Sequence, residues 1–201
     1  MRRLGLLVLC WLSAAAAAQD VALVTAAGQQ ALLTNPGTPI VGAQKPDVTV
    51  VEYFDYNCPY CKKLVPTLQA LLAQDPKIGI VYKEWPILGP VSQYAAAAAL
   101  AAGWQGKYLA AHDALIAGPR LSANAQVDAL LQKAGVDLSA LTKDRTQHAK
   151  EIQALLARND EEAHALSLDG TPGLVIGRLR VPGIVGPDDL KKMIAQSRLS
   201  K

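Results

Sequence analysis

Apolar positions along the chain follow two rhythms. The runs DVTVVEYFDY (47–56) and IGIVYKEW (78–85) are dense in β-branched and aromatic residues, and both predict strands. Between them Leu64, Leu68, Leu71 and Leu72 recur at helical spacing, so a helix opens at or just before Cys58, with Pro66 expected to kink it. From Pro90 to Leu168 the pattern is almost purely helical. Glycines at 103, 106, 118 and 135, with Pro119, divide it into about four helices, and Ala95–Ala99 is a strong helix former. Strand character returns at Leu174–Ile176 and Leu179–Val185, a hairpin in which Pro182 marks an edge strand. Pro187 and Asp188 open a final helix ending near Ser197. Upstream, Val21–Leu33 reads as one helix followed by an extended, turn-rich arm. The order β–α–β, helical block, β–β–α describes an α/β fold: a small mixed sheet with an inserted helical domain.

The first residues alter this picture. Arg2 and Arg3, an apolar run from Leu4 to Leu12, and alanines at 16 and 18 have the layout of a cleaved secretory signal peptide at 1–18. The run falls short of the ~20 residues of a spanning helix, so the chain is expected to be exported to the periplasm and not to span the membrane. Cys10 then leaves with the leader, and losing Arg2 and Arg3 lowers the formal charge from +3 to +1. That charge, with aromatics at 5%, excludes a nucleic-acid binder. Half the residues are hydrophobic (51%), which excludes a disordered chain.

Two cysteines remain, in Cys58-Pro59-Tyr60-Cys61 at a predicted strand-to-helix junction. A helix N-terminus favours negative charge and lowers a thiol's pKa there. Cys58, the more exposed, is the nucleophile, and Cys61, inside the helix, is the resolving thiol; together they donate or accept a disulfide. Three alternatives stay open. A structural disulfide would close so short a loop that it gains little from chain entropy. Zinc calls for further ligands at short spacing. His112, His148 and His164 lie far apart, on positions that read as polar helix faces, so they are taken as solvated. Cu(I) bound by the two thiolates is chemically sensible.

Over residues 35–197, and through EYFDYNCPYC, KEWPILGP and GTPGLVIG, the sequence resembles the thioredoxin fold of the DsbA-like family of exported thiol:disulfide oxidoreductases. Within it the motifs are similar to the subgroup containing the suppressor of copper sensitivity protein C. After the signal peptide at 1–18 and an N-terminal arm at 19–46, the resemblance implies a thioredoxin fold split into 47–89 and 169–201 by a helical domain at 90–168. It implies catalysis by Cys58 and Cys61, with Pro59 and Tyr60 tuning the redox potential. Thr171 and the cis-proline Pro172 face the disulfide and receive substrate backbone.

By the same resemblance Glu52 is a buried acid that moves protons for the resolving thiol. Lys83, on the next strand, is its candidate partner, with a plain surface position for Lys83 or Glu84 as the alternative. No cofactor beyond the Cys58–Cys61 disulfide is implied. Expected partners are proteins bearing thiols or disulfides and a membrane redox partner. The short arm before Asp47 favours a monomer. The function expected is disulfide exchange with protein substrates, and the alternative is periplasmic Cu(I) binding in copper tolerance by the same two thiolates.

Overall fold

A computed structural model describes residues 22–43 and 45–200. The expected signal peptide lies outside the described residues. Six strands form one sheet: β1 (Ala22–Leu23), β2 (Ile40–Gly42), β3 (Val48–Phe54), β4 (Ile78–Glu84), β5 (Gly173–Ile176) and β6 (Leu179–Pro182). Their order across the sheet is β1-β6-β5-β3-β4-β2. The two β-branched runs, β3 and β4, pair in parallel at the centre, and every residue of both is buried. Such strands are covered on both faces, so they read as continuous rather than alternating apolar runs.

Register divides the sheet into two faces. Val50, Phe54, Ile80, Tyr82, Leu174 and Ile176 lie on one face with Glu52. Their core takes in Leu64, Leu68 and Leu71 of α2 (Pro59–Gln74) and Leu190 and Ile194 of α8 (Pro187–Leu199). On the other face Val51, Tyr53, Val81 and Val175 pack with Leu32 of α1 (Ala26–Leu33), Trp85, Ala163 and Leu168. Pro66 lies inside α2.

The helical block joins β4 to β5 and contains α3 (Pro90–Ala102), α4 (Tyr108–Ala117), α5 (Asn124–Lys133), α6 (Leu138–Gln147) and α7 (Ala149–Ala165), with a 3₁₀ turn at Gly103–Gln105. That is five helices among the described residues where the glycine spacing predicted about four. Asp137 makes an extra start, because its carboxylate accepts from Ser139 and Ala140 N–H and caps α6. The alanines of α3 are buried, and their small side chains let neighbouring helices approach closely.

Two expectations near the sheet edges are corrected. Val21–Leu33 is not one helix: Ala22–Leu23 is a strand, and Thr25 caps a shorter helix by accepting from Gly28 N–H at 3.0 Å. β6 is not the outermost strand, because β1 pairs with Leu179 and Arg180. Pro182 tolerates its missing N–H because the pairing to β1 does not reach it.

Candidate functional site

β3 ends at Phe54, and Asp55, Tyr56 and Asn57 turn the chain into α2. The Asp55 carbonyl accepts from Cys58 N–H at 3.0 Å, which sets Cys58 as the N-cap and Pro59 as the first helical residue. A proline fits there, since its missing N–H would have had no helical partner. Cys58 and Cys61 are free thiols one helical turn apart, and Cys61 N–H points at Cys58 Sγ from 3.4 Å. Both are buried, yet Cys58 keeps 4% of its surface exposed whereas Cys61 keeps none.

The two thiols are pushed in opposite directions. Cys58 falls to about 5, chiefly because the Cys61 thiol hydrogen-bonds to its sulfur, with backbone N–H groups of Tyr60 and Cys61 adding to the effect against the cost of burial. Cys61 is driven well above the usual thiol range by burial, by that same hydrogen bond, and by the charges of Glu52 and Cys58. The Thr171–Pro172 bond is cis, and the Thr171 carbonyl stands 3.1 Å from Cys58 Sγ. As an acceptor this carbonyl suits the Cys58 thiol, whereas the hydrogen bond from the Thr171 side chain favours the thiolate. Gly173 follows because a Cβ there would come within 2.6 Å of Leu168 Cδ1.

Pro59 and Tyr60 lie on the outer turn, with Tyr60 54% exposed and Lys63 Nζ 5.4 Å from its ring centre. Glu52 lies on the sheet face that packs against α2 and is 4% exposed. Burial first, and then the Cys58 charge, raises its carboxyl to about 8. Among the described residues nothing hydrogen-bonds or ion-pairs with that carboxyl.

Lys83 is not the partner of Glu52. Register sets Tyr82 opposite Glu52 and Lys83 opposite Tyr53, so Lys83 points to the other side of the sheet. There its buried Nζ stands 2.9 Å from Glu162 Oε2, an ion pair by distance without hydrogen-bond geometry. Glu162 also accepts from Tyr53 OH at 3.0 Å and from Asn35 Nδ2. Nor are Lys83 and Glu84 surface residues, since both are buried.

His112 is also corrected. Instead of a solvated helix face it occupies a buried aromatic cage, with its ring 4.2 Å from that of Tyr82 and 4.9 Å from that of Phe54. Burial lowers it to about 3, so it is neutral near pH 7. Beside it, Glu84 Oε1 accepts from Tyr56 OH at 2.8 Å and from Tyr108 OH at 3.0 Å. His148 stacks on Trp104 and bonds Glu151, while His164 is exposed beside Asp160.

Asp55 and Asn57 escaped the sequence reading. The Asp55 carboxylate accepts from Asn57 N–H and Ser92 Oγ at 2.7 Å each, and from Leu88 N–H at 2.9 Å. Asn57 bonds both backbone groups of Leu121, donating to its carbonyl at 3.1 Å and accepting from its N–H at 2.7 Å. Together they fix the turn that presents Cys58. The signal was present as an Asp two residues before Asn57, the spacing of an Asx turn.

Among the described residues no group of three His, Cys, Asp or Glu side chains could hold a metal ion, and no helix is long and apolar enough to cross a membrane.

The model of the DSBA-like thioredoxin domain matches residues 49–195. A thioredoxin-like oxidoreductase from Silicibacter pomeroyi DSS-3 is 39% identical and superposes with a TM-score of 0.82, covering 86% of this chain and 98% of that one. The catalytic domain of Proteus mirabilis ScsC is 28% identical, with a TM-score of 0.77 over 87% of this chain and 96% of that domain. Among curated proteins, a Na⁺/H⁺ antiporter, NhaA 1 of Salinispora arenicola (strain CNS-205), is 31% identical over 144 residues, or 71% of this chain. The chain spans only 22% of that relative's length.

Proposed function

We propose that this chain, which belongs to the family of DSBA-like thioredoxin domains, is an exported thiol:disulfide oxidoreductase that exchanges disulfides with protein substrates through Cys58 and Cys61. The observation that carries the reading is the opposed pair of thiols at the start of α2, one held near 5 and the other raised by burial. A thiol with a low pKa is a good leaving group and is ionised at neutral pH, whereas a buried thiol with a high pKa waits protonated until it is needed. Thr171, next to the cis-proline, supports the reading by offering backbone groups beside the sulfur. Pro59 and Tyr60 set the potential from the outer turn.

In the oxidising direction a substrate thiolate attacks Cys58 Sγ. The Cys58–Cys61 bond breaks, its electron pair leaves on Cys61, and Cys61 takes up a proton. The substrate's second thiolate then attacks the substrate sulfur of the mixed disulfide, and the electron pair leaves on Cys58. Two electrons have passed from substrate to the cysteine pair. In the reducing direction Cys58 attacks the substrate disulfide, and Cys61 resolves the intermediate after giving up its proton. Glu52, whose carboxyl is raised to about 8, is the group that exchanges this proton. No separate cofactor is required. A membrane redox partner resets the pair, and the protein works as a monomer in the periplasm.

Cys58→Ser abolishes turnover of a reduced or scrambled model protein, and Cys61→Ser traps it as a mixed disulfide resolvable by gel electrophoresis. A Cys58→Ser protein that turns over substrate at the wild-type rate would defeat the reading. Equilibration with glutathione sets the direction: a potential near about −120 mV marks a disulfide donor, and one near about −270 mV a reductase or isomerase.

A second reading rests on the same free, adjacent thiols, which form a soft donor pair for Cu(I). One-to-one Cu(I) binding by the reduced chain, lost in Cys58→Ser and accompanied by no disulfide turnover, favours that reading.

A further inference from the structure

Lys62, immediately after Cys61, does not extend into solvent. Its ammonium reaches out of α2 and donates to three backbone carbonyls: Leu115 and Ile116 at 3.1 Å each, and Gly118 at 2.9 Å. These carbonyls form the C-terminal end of α4. The last carbonyls of a helix have no partner within it, and they carry the negative end of the helix dipole. Gly118 packs tightly at this end, because a Cβ there would come within 2.9 Å of Ala114 O and Leu130 Cδ1. Lys62 is half-buried and lies within electrostatic reach of Cys58, Cys61 and Asp55. Also bearing on the sulfurs are Glu52 from β3, Thr171 before the cis-proline, and the backbone of Asp55, Tyr60 and Cys61.

From this geometry we infer that Lys62 is a positioning residue for disulfide exchange: it fastens the helical domain to the redox helix and neutralises the carbonyl end of α4 beside the cysteines. The inference rests on the proposed activity and assigns it a further residue. When the Cys58–Cys61 bond is reduced, negative charge appears on Cys58. Without Lys62 the carbonyl end of α4 would lose its cation, and the Cys58 charge would lose an ammonium within its electrostatic reach. The reduced state is therefore stabilised by a contact made outside the thioredoxin part of the chain, and the helical domain contributes to the redox balance through one side chain.

The test compares Lys62→Gln, which keeps amide donors but loses the charge, with Lys62→Met, which loses both, and Lys62→Arg, which keeps the charge. The Cys58 pKa is read from the pH dependence of thiolate absorbance, and the redox equilibrium is read against glutathione. Lys62→Gln and Lys62→Met should raise the Cys58 pKa by about one unit. Both should shift the equilibrium about tenfold towards the disulfide, or about 30 mV. Lys62→Arg should stay within about threefold of wild type. Hydrogen exchange of the α4–α5 loop should quicken in Lys62→Met more than in Lys62→Gln.

Folded Lys62→Gln with an unchanged pKa and an equilibrium within twofold of wild type overturns the inference, even if thermal stability falls. Should Lys62→Met fail to fold, Lys62→Gln and Lys62→Arg still decide it. A wild-type chain that exchanges no disulfides would instead defeat the proposed activity, leaving the pKa and hydrogen-exchange readouts to judge Lys62 by themselves.

Discussion

Glu52 and Lys83, buried on opposite faces of the sheet and one residue apart in register, are treated in opposite ways. On one face Glu52 lies near the cysteines with no partner for its carboxyl among the described residues. On the other, Lys83 sits beside Glu162, which also gathers Tyr53 and Asn35. Glu162 belongs to α7, Tyr53 and Lys83 to the central strands, and Asn35 to the segment after α1. The paired charge therefore acts as a clasp joining the helical block, the sheet and the segment before β2. The unpaired one holds its proton up to about pH 8 and, in the proposed mechanism, exchanges it with Cys61. Partnering separates the two roles, since the depth of burial is nearly the same at both.

Breaking the clasp should give the largest loss of stability. Lys83→Met removes one member of a buried pair and should cost about 3 kcal/mol in denaturant unfolding. It should leave the alkylation rate of Cys58 within twofold of wild type. A slowed Cys58 with unchanged stability would reverse the assignment of the two faces.

Glu52→Gln acts with the opposite sign. The folded-state pKa of Glu52 lies above its unfolded value of 4.5, so its contribution to stability is full below pH 4.5 and is lost as pH rises to about 8. Replacement by glutamine should leave stability unchanged at pH 4 and raise it at pH 8 by on the order of 4 kcal/mol. It should also slow resolution of the mixed disulfide by at least about tenfold, measured by quenched-flow trapping. Equal stabilisation at both pH values would contradict a titrating Glu52.

Tyr53→Phe removes one hydrogen bond from the clasp and should cost about 1 kcal/mol with no redox effect. The smallest perturbation is pH alone. Alkylation of reduced wild-type protein should fall as pH drops through about 5, and the midpoint should move little in Lys83→Met.

The sequence made the β3–α2 junction legible because the elements there are strongly typed. A β-branched run, a proline at the first helical position and leucines at helical spacing all point the same way. The face of Lys83 was not legible. In a strand buried on both sides, polarity no longer alternates, so nothing local says which way a charged residue points. Register against β3 decides it, and a shift of one residue reverses the answer. His112 was misread for a related reason: α4 is rich in alanine and leucine all round, so its sequence shows little contrast between inside and outside. The Asn57 and Lys62 contacts to residues 115–121 join segments far apart in the chain and carry no periodic signal. The five helices could not be counted from glycines alone, because a carboxylate cap at Asp137 starts one of them.

The two sheet edges have a bearing on how the chain assembles. β1 and β2, with two and three residues, are the outermost strands, and both come from the segment before β3. Short edge strands offer little template for pairing with another molecule, so they guard against edge-to-edge aggregation. During synthesis they appear early and find their partners late. β2 must wait for β4, and β1 must wait for β6 near the opposite end of the chain. Until the last strands are made, the guards stand beside edges that do not yet exist. The non-local pairing of β1 with β6 lengthens the search for the native topology. It also makes the first described residues the seal on the last strand of the sheet.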